Sequence, residues 1–152
     1  MPRKQQPQAR RGVIDTSVLV AGVSGFKPDV QAINPSAQLI RTWIEEGHFT
    51  WLISADIIAE YKAVLARLRV RPPLIGLIIN LLREEAEEID VPTVQEVSPD
   101  PGDDPVCACA EHGRADFIAT LNKKDFPQRR LRAKVITPEQ TLPTRRSRKR
   151  SP

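Results

Sequence analysis

Three short acidic segments hold the side chains of this 152-residue chain best suited to chemistry: Val13-Ile14-Asp15-Thr16-Ser17, Ile58-Ala59-Glu60 and Asp103-Asp104-Pro105. Each falls where a strand gives way to a helix or where a helix begins. Singly they are weak signals, because Asp and Ser are also ordinary helix caps and turn formers. Their order is more telling. Several carboxylates within a few ångströms repel one another, so an empty cluster raises some of their pKa values, and a divalent cation relieves the strain. Hard oxygen donors with retained waters suit Mg²⁺ or Mn²⁺. One or two such ions turn a bound water into a nucleophile and steady the charge on a phosphodiester as it is cut. The chemistry implied is metal-assisted phosphodiester hydrolysis.

An alternation of strands and helices must position these residues. Gly12-Val13-Ile14 reads as a short buried strand ending at Asp15. Asn34-Pro35-Ser36 starts a helix to about Glu46, closed by Gly47, with Ala37, Ile40, Trp43 and Ile44 on its buried face. Phe49 to Ile53 is the second strand. Ser54 caps a helix to about Arg69, with Ile57, Ile58, Tyr61, Val64, Leu65 and Leu68 at helical spacing. Pro72-Pro73 opens a further helix, apolar on nearly every side through Leu82, after which Glu84, Glu85, Glu87 and Glu88 read as a solvated face. Ile89 to Val91 is the candidate third strand. A helix runs from Asp104 to His112 and ends at Gly113, and Phe117-Ile118-Ala119-Thr120 and Ala133-Lys134-Val135-Ile136 complete the strands. Such alternation predicts an α/β fold, a three-layer sandwich around a central, mainly parallel sheet. Sites in such sheets lie at the carboxyl ends of the strands. That rule brings Asp15, Glu60, Asp104, Asn122 and Asp125 to one edge.

At these residues the chain resembles the PIN-domain nucleases, many of which are toxin halves of prokaryotic toxin-antitoxin pairs. The resemblance rests on Val13-Ile14-Asp15-Thr16-Ser17-Val18-Leu19-Val20, on Ser54-Ala55-Asp56-Ile57-Ile58-Ala59-Glu60-Tyr61, and on Asp104-Pro105-Val106-Cys107-Ala108-Cys109-Ala110 followed by Ala115-Asp116-Phe117-Ile118-Ala119-Thr120-Leu121-Asn122-Lys123-Lys124-Asp125-Phe126. It covers about residues 12 to 138. It implies that Asp15, Glu60 and Asp104 occupy the family's acidic positions, which hold the metal and, through it, the attacking water. Many members have Thr-x-Asp where this chain has Thr120-Leu121-Asn122, and members with Asn there commonly carry an acid three residues later. The resemblance therefore gives Asp125 the fourth catalytic role, with Asp15, Asp104 and Asp125 as metal ligands and Asn122 secondary. Asp116 competes for that place, but it begins the fourth strand, at the end remote from Asp15. Ser17 and Thr120 would orient waters or carboxylates by hydrogen bonds. The activity implied is a Mg²⁺- or Mn²⁺-dependent endoribonuclease with an RNA substrate, a cognate antitoxin protein and a homodimeric state.

Composition sets the outer limits. Apolar residues make up 40% of the chain, enough for one cored domain and too little for two. The expected organisation is a basic tail over residues 1–11, a nuclease domain over 12–143 and a second basic tail over 144–152. The net charge of +4 hides a division: nine of the 23 Lys and Arg lie in residues 1–12 and 144–152, leaving 14 against 19 acidic residues between them, a balance of −5. Basic ends of that kind either meet phosphate backbones or serve as solvated ends. The longest apolar stretch, Pro72 to Leu82, is far short of the roughly 20 residues a bilayer span needs, and the charged start lacks a secretory core, so the expected location is the cytoplasm. Cys107 and Cys109, two apart on a helix, point to different faces and read as small core residues. His48 and His112 read as surface residues, and Trp43 and Trp51 as core. A phosphoryl-transfer or receiver fold also carries an Asp after its first strand, but those folds need an early acidic pair that Arg10-Arg11-Gly12 does not supply. The stronger rival is a PIN-like RNA-binding or partner-binding module that has lost catalysis, which Asn122 and the basic tails permit.

Overall fold

The computed structural model describes residues 10–25, 34–92 and 104–143, so the greater part of each basic tail lies outside the described residues. Within them the order is β1 (Arg11–Ile14), α1 (Thr16–Gly25), α2 (Pro35–Glu46), β2 (Thr50–Ile53), α3 (Ala55–Arg67), α4 (Pro72–Glu85), β3 (Glu87–Glu88), α5 (Pro105–His112), β4 (Phe117–Ala119) and β5 (Lys134–Ile136). The five strands form one sheet in the order β3-β2-β1-β4-β5, and every pairing is parallel. Helices cover both faces, because right-handed crossovers put α1 to α4, which lead leftward from β1 to β3, on one side and α5, which leads back to β4, on the other. α5 accordingly packs on β1, β2 and β4. The result is the three-layer α/β sandwich.

Local chemistry fixes the helix ends. Asn34 Oδ1 accepts from the amides of Ser36 (2.8 Å) and Ala37 (3.3 Å), Pro35 takes the first-turn position, and Gly47 closes α2 in the left-handed region at φ 60°. Ser54 caps α3 by accepting from Ile57 N, and Asp104 caps α5 by accepting from Val106 N. Gly12 has a steric reason to be glycine: a Cβ there would lie 2.1 Å from the Phe117 ring, which packs across β1 from β4. Trp43, Trp51, Phe49, Phe117 and Tyr61 form a continuous aromatic core with edge-on contacts. Cys107 and Cys109 are buried free thiols, each pushed up to about 12 chiefly by burial. His48 and His112 are exposed.

Three expectations need correction. The third strand is Glu87–Glu88 rather than Ile89 to Val91, paired as Leu52 with Glu87 and Ile53 with Glu88. An ion pair decides this: the Arg11 guanidinium grips both oxygens of Glu87, at 2.8 and 3.0 Å, and so draws the acidic segment against the sheet. Glu87 is thus a sheet residue, not part of a solvated face. The buried face of α2 is centred on Ser36, Ala37, Leu39 and Trp43, while Ile40 and Ile44 are half-buried and line an apolar groove of about 210 Å³ with residues of α1 and α4. Leu68, at the end of α3, is 54% exposed. Among the described residues no helix is long and apolar enough to cross a membrane.

Candidate active site at the carboxyl edge of the sheet

β1 is the strand from which the chain first moves left to β2 and later returns on the right to β4, so the gap between β1 and β4 is the sheet's topological switch point. Both strands end there. Asp15 follows β1, and its amide donates to Ala119 O (2.9 Å), continuing the parallel ladder past the last paired residues. Thr120 follows β4 and is fully buried. Its hydroxyl donates to Asp15 Oδ2 at 2.8 Å, and the Ser17 hydroxyl donates to the same oxygen at 2.7 Å. Each hydroxyl also accepts a main-chain amide, Leu121 N on Ser17 (3.1 Å) and Asn122 N on Thr120 (3.0 Å), so their orientation is fixed by the turn after β4. Asp15 is also where α1 begins, its carbonyl accepting from Val18 and Leu19, which sets the carboxylate near the positive end of that helix.

The second acid arrives through α3. Glu60 Oε2 accepts from the Thr16 hydroxyl at 2.6 Å, which joins α3 to the first turn of α1. The next residue, Tyr61, is fully buried: its hydroxyl donates to Ile14 O at 2.5 Å and accepts from Trp51 Nε1 at 3.3 Å. The carbonyl that Tyr61 holds belongs to the residue before Asp15. Complete burial raises its phenol well above the usual value, so Tyr61 stays a neutral donor.

The third acid arrives through α5. Asp104 is exposed as a residue, yet its carboxyl is partly desolvated, and that desolvation raises its pKa above the usual carboxylate value. The amides of Val106 and Cys107 oppose the rise, and the charges of Glu60 and Asp15 add to it. Three carboxylates from three elements thus share one electrostatic neighbourhood, and among the described residues no cation forms an ion pair with any of them.

The remaining residues separate. Asn122 ends the strand turn and is exposed, linked to the network through its amide on Thr120. Asp125 is exposed in a 3₁₀ turn over Lys123–Asp125, tied to Asn122 by its amide but making no side-chain contact with Asp15. Asp116 lies at the opposite edge, buried, with Oδ2 accepting from Arg11 N at 2.7 Å. Thr16 and Tyr61 are additions to the set read from the sequence. The Thr16 to Glu60 link has no signal in the sequence, and the Tyr61 brace has only the general one that a core phenol needs a partner.

The chain matches the PIN domain family over residues 11–124, most of its length. It belongs to that family. PIN domains are generally nucleases and typically use divalent metals, which places the chain among hydrolases of the nuclease kind. The matched region contains Asp15, Glu60, Asp104, Asp116, Thr120 and Asn122 and stops one residue short of Asp125. No curated protein matches the chain.

The donor chemistry of this PIN site fits a hard divalent cation, since every candidate ligand is a carboxylate and the groups around them are hydroxyls and amides. Among the described residues, however, no three ligand side chains lie close enough together to hold a metal as they stand.

Proposed function

We propose that the chain is a metal-dependent endoribonuclease and that Asp15, Glu60 and Asp104 are its catalytic acids. The observation that carries this reading is the Asp15 carboxylate, placed at the switch point of the sheet, held by two neutral hydroxyls and, with Glu60, within electrostatic reach of Asp104, while among the described residues no cation pairs with any of the three. Carboxylates that feel one another's charge with no counter-charge beside them leave a negative potential that a divalent cation can use.

Asp15 and Asp104 would hold Mg²⁺ or Mn²⁺, with Asp125 supplied from the turn after β4. When bound, the ion supplies a water acidified enough to attack phosphorus and a positive charge for the phosphoryl oxygens. Ser17 and Thr120 keep Oδ2 of Asp15 occupied, which leaves its other oxygen without a hydrogen bond among the described residues. Glu60, held by Thr16, would accept a proton from the attacking water. Tyr61 holds the end of β1 and thereby the start of the loop that carries Asp15.

We assign the protein to the toxin side of a toxin-antitoxin pair, in the cytoplasm, with a cognate antitoxin protein as partner. The sequence blocks around Asp15, Glu60 and Asp104 support that assignment. Leu74 and Leu77 on α4 are 42% and 67% exposed, which supports a homodimer formed through that helix. A monomer by light scattering at high micromolar concentration would remove the dimer.

The test is cleavage of single-stranded RNA by the purified full chain with Mg²⁺ or Mn²⁺, with chelator, and with Asp15→Asn. Metal-dependent cleavage lost in both controls supports the proposal. RNA binding without cleavage, and without any response to Mn²⁺, would favour a PIN-like binding module that has lost catalysis, a reading that Asn122 permits.

A further inference from the structure

The turn after β4 carries an apolar side chain at the rim of the acidic site. Among the described residues four large apolar side chains stand exposed, and three of them, Leu68, Leu74 and Leu77, belong to α4 or the end of α3. The fourth is Leu121, 47% exposed, between Thr120 and Asn122. A single exposed leucine is ordinary on a protein surface. What distinguishes this one is what holds it.

The Leu121 amide donates to Ser17 Oγ at 3.1 Å, and that hydroxyl donates to Asp15 Oδ2 at 2.7 Å. The Asn122 amide donates to Thr120 Oγ1 at 3.0 Å, and that hydroxyl donates to the same carboxylate oxygen at 2.8 Å. The backbone on both sides of the Leu121 side chain is therefore tied to Asp15 by two hydrogen bonds in series. The turn is anchored at each end as well: Thr120 N donates to Ile136 O and Asp125 N to Asn122 O, both at 2.9 Å, and Phe126 is buried. An exposed side chain on a backbone fixed in this way is preorganised, and little freedom is lost when a ligand covers it.

The groups already assigned to the site are carboxylates and hydroxyls. Through a cation they can meet a phosphate and a water, but none offers a surface to the apolar face of a base. In a nucleic-acid strand a base lies one sugar away from its phosphate, so a phosphodiester engaged at Asp15 brings a neighbouring base into range of Leu121. Leucine is among the apolar side chains that act as wedges between bases and unstack them.

We propose that Leu121 is a substrate-contacting residue of this site, packing on the face of the nucleobase next to the scissile phosphate of single-stranded RNA and parting it from its neighbour. The inference rests on the nuclease reading for the place of the scissile bond. Every base has such a face, so Leu121 sets a requirement for a base and not for a sequence.

The experiment uses full-length Asp104→Asn protein, which keeps the hydrogen bonds around Asp15 and blocks turnover, with Mn²⁺ present. Its affinity is measured for a short single-stranded RNA, for the same sugar-phosphate strand without bases, and for strands carrying 2-aminopurine at each position in turn, whose fluorescence rises on unstacking. Adding Leu121→Ala should weaken binding of the intact RNA about fivefold, leave the baseless strand unaffected, and remove the fluorescence rise. Leu121→Phe should restore both signals, and neither change should shift the melting temperature, since the side chain is exposed. Equal binding of intact RNA with and without Leu121→Ala, an equal loss on the baseless strand, or no RNA binding at all would overturn the base contact. A wild type that cleaves nothing, while Leu121→Ala still weakens binding of intact RNA alone, would sink the nuclease reading and leave the base contact standing.

Discussion

Both edges of the sheet carry buried or half-buried acids, yet they treat them in opposite ways. At the amino edge, Glu87 meets the Arg11 guanidinium in a two-pronged ion pair, and Asp116 meets a main-chain amide. Glu87 is neutralised and Asp116 is buried against the strand it holds, and together they tie β3 and β4 to β1. At the carboxyl edge, among the described residues, Asp15 and Glu60 are met only by hydroxyls, and Asp104 only by the amides at its own helix start. Neutral donors orient a carboxylate without cancelling its charge. The same residue types are thus structural at one edge of the sheet and poised at the other.

The largest expected effect follows from removing charge at the poised edge. Asp15→Asn and Asp104→Asn should each lower RNA turnover about a thousandfold or more, the scale on which losing a group that stabilises developing charge is felt. Neither should unfold the protein. Asn remains a good helix cap at position 104, and removing one of three mutually repelling charges favours the metal-free fold.

That last point has a pH signature. The folded-state pKa of Asp104 is raised above its ordinary value of 3.8, so folding favours its protonated form. Its contribution to stability is therefore fully present below about that ordinary value and is lost as pH rises through the raised folded value. Denaturant melts of metal-free protein from pH 3.5 upward should show wild type losing ground to Asp104→Asn across that window. Parallel curves would mean that folding does not desolvate the Asp104 carboxyl.

Next in size are the hydroxyls that aim Asp15. Ser17→Ala and Thr120→Val should each reduce turnover about 10- to 100-fold, as is usual for groups that orient a metal-binding side chain. A fall confined to KM would assign them to substrate binding instead.

The smallest effect on activity belongs to the satisfied edge. Asp116→Ala should cost about 1–3 kcal/mol of stability, because it strands the part-buried Arg11 amide that the buried carboxylate holds, while turnover in the protein that remains folded should be unchanged. Asp125→Asn should show the reverse pattern, reducing turnover with little change in melting. If Asp116→Asn proved the more damaging to turnover, the fourth acid would have to be moved to the amino edge and the contrast between the edges would fail.

How much of this was legible in the sequence depended on whether one residue type carried the signal. Caps did: Asn34, Pro35, Gly47, Ser54 and Asp104 mark their helix ends because each supplies a donor, acceptor or backbone angle that the end requires. The strands that run through the core, β1, β2, β4 and β5, were visible as short apolar runs. β3 was not, because a two-residue edge strand is selected by Arg11, 76 residues away, rather than by its own hydrophobicity. α1 could not be delimited from periodicity, since Val18 to Val23 is apolar around the helix rather than along a stripe. At the site, Asp15, Ser17 and Thr120 could be named from their blocks, whereas the Thr16 to Glu60 link and the Tyr61 brace needed the packing of α3 against α1. The place of Asp125 depends on a 3₁₀ turn that no pattern in the sequence announces.

The most direct test of the contrast between the edges is a Mn²⁺ titration of thermal stability for wild type, Asp15→Asn and Asp116→Asn. An ion that binds only the native state adds RT ln(1 + [L]/Kd), about 2.7 kcal/mol at a hundredfold excess over Kd. Wild type and Asp116→Asn should both rise with Mn²⁺, and Asp15→Asn should not. A wild-type melting temperature that stays flat through millimolar Mn²⁺, or an Asp15→Asn protein that rises in step with wild type, would contradict the carboxyl edge as a metal-binding nuclease site.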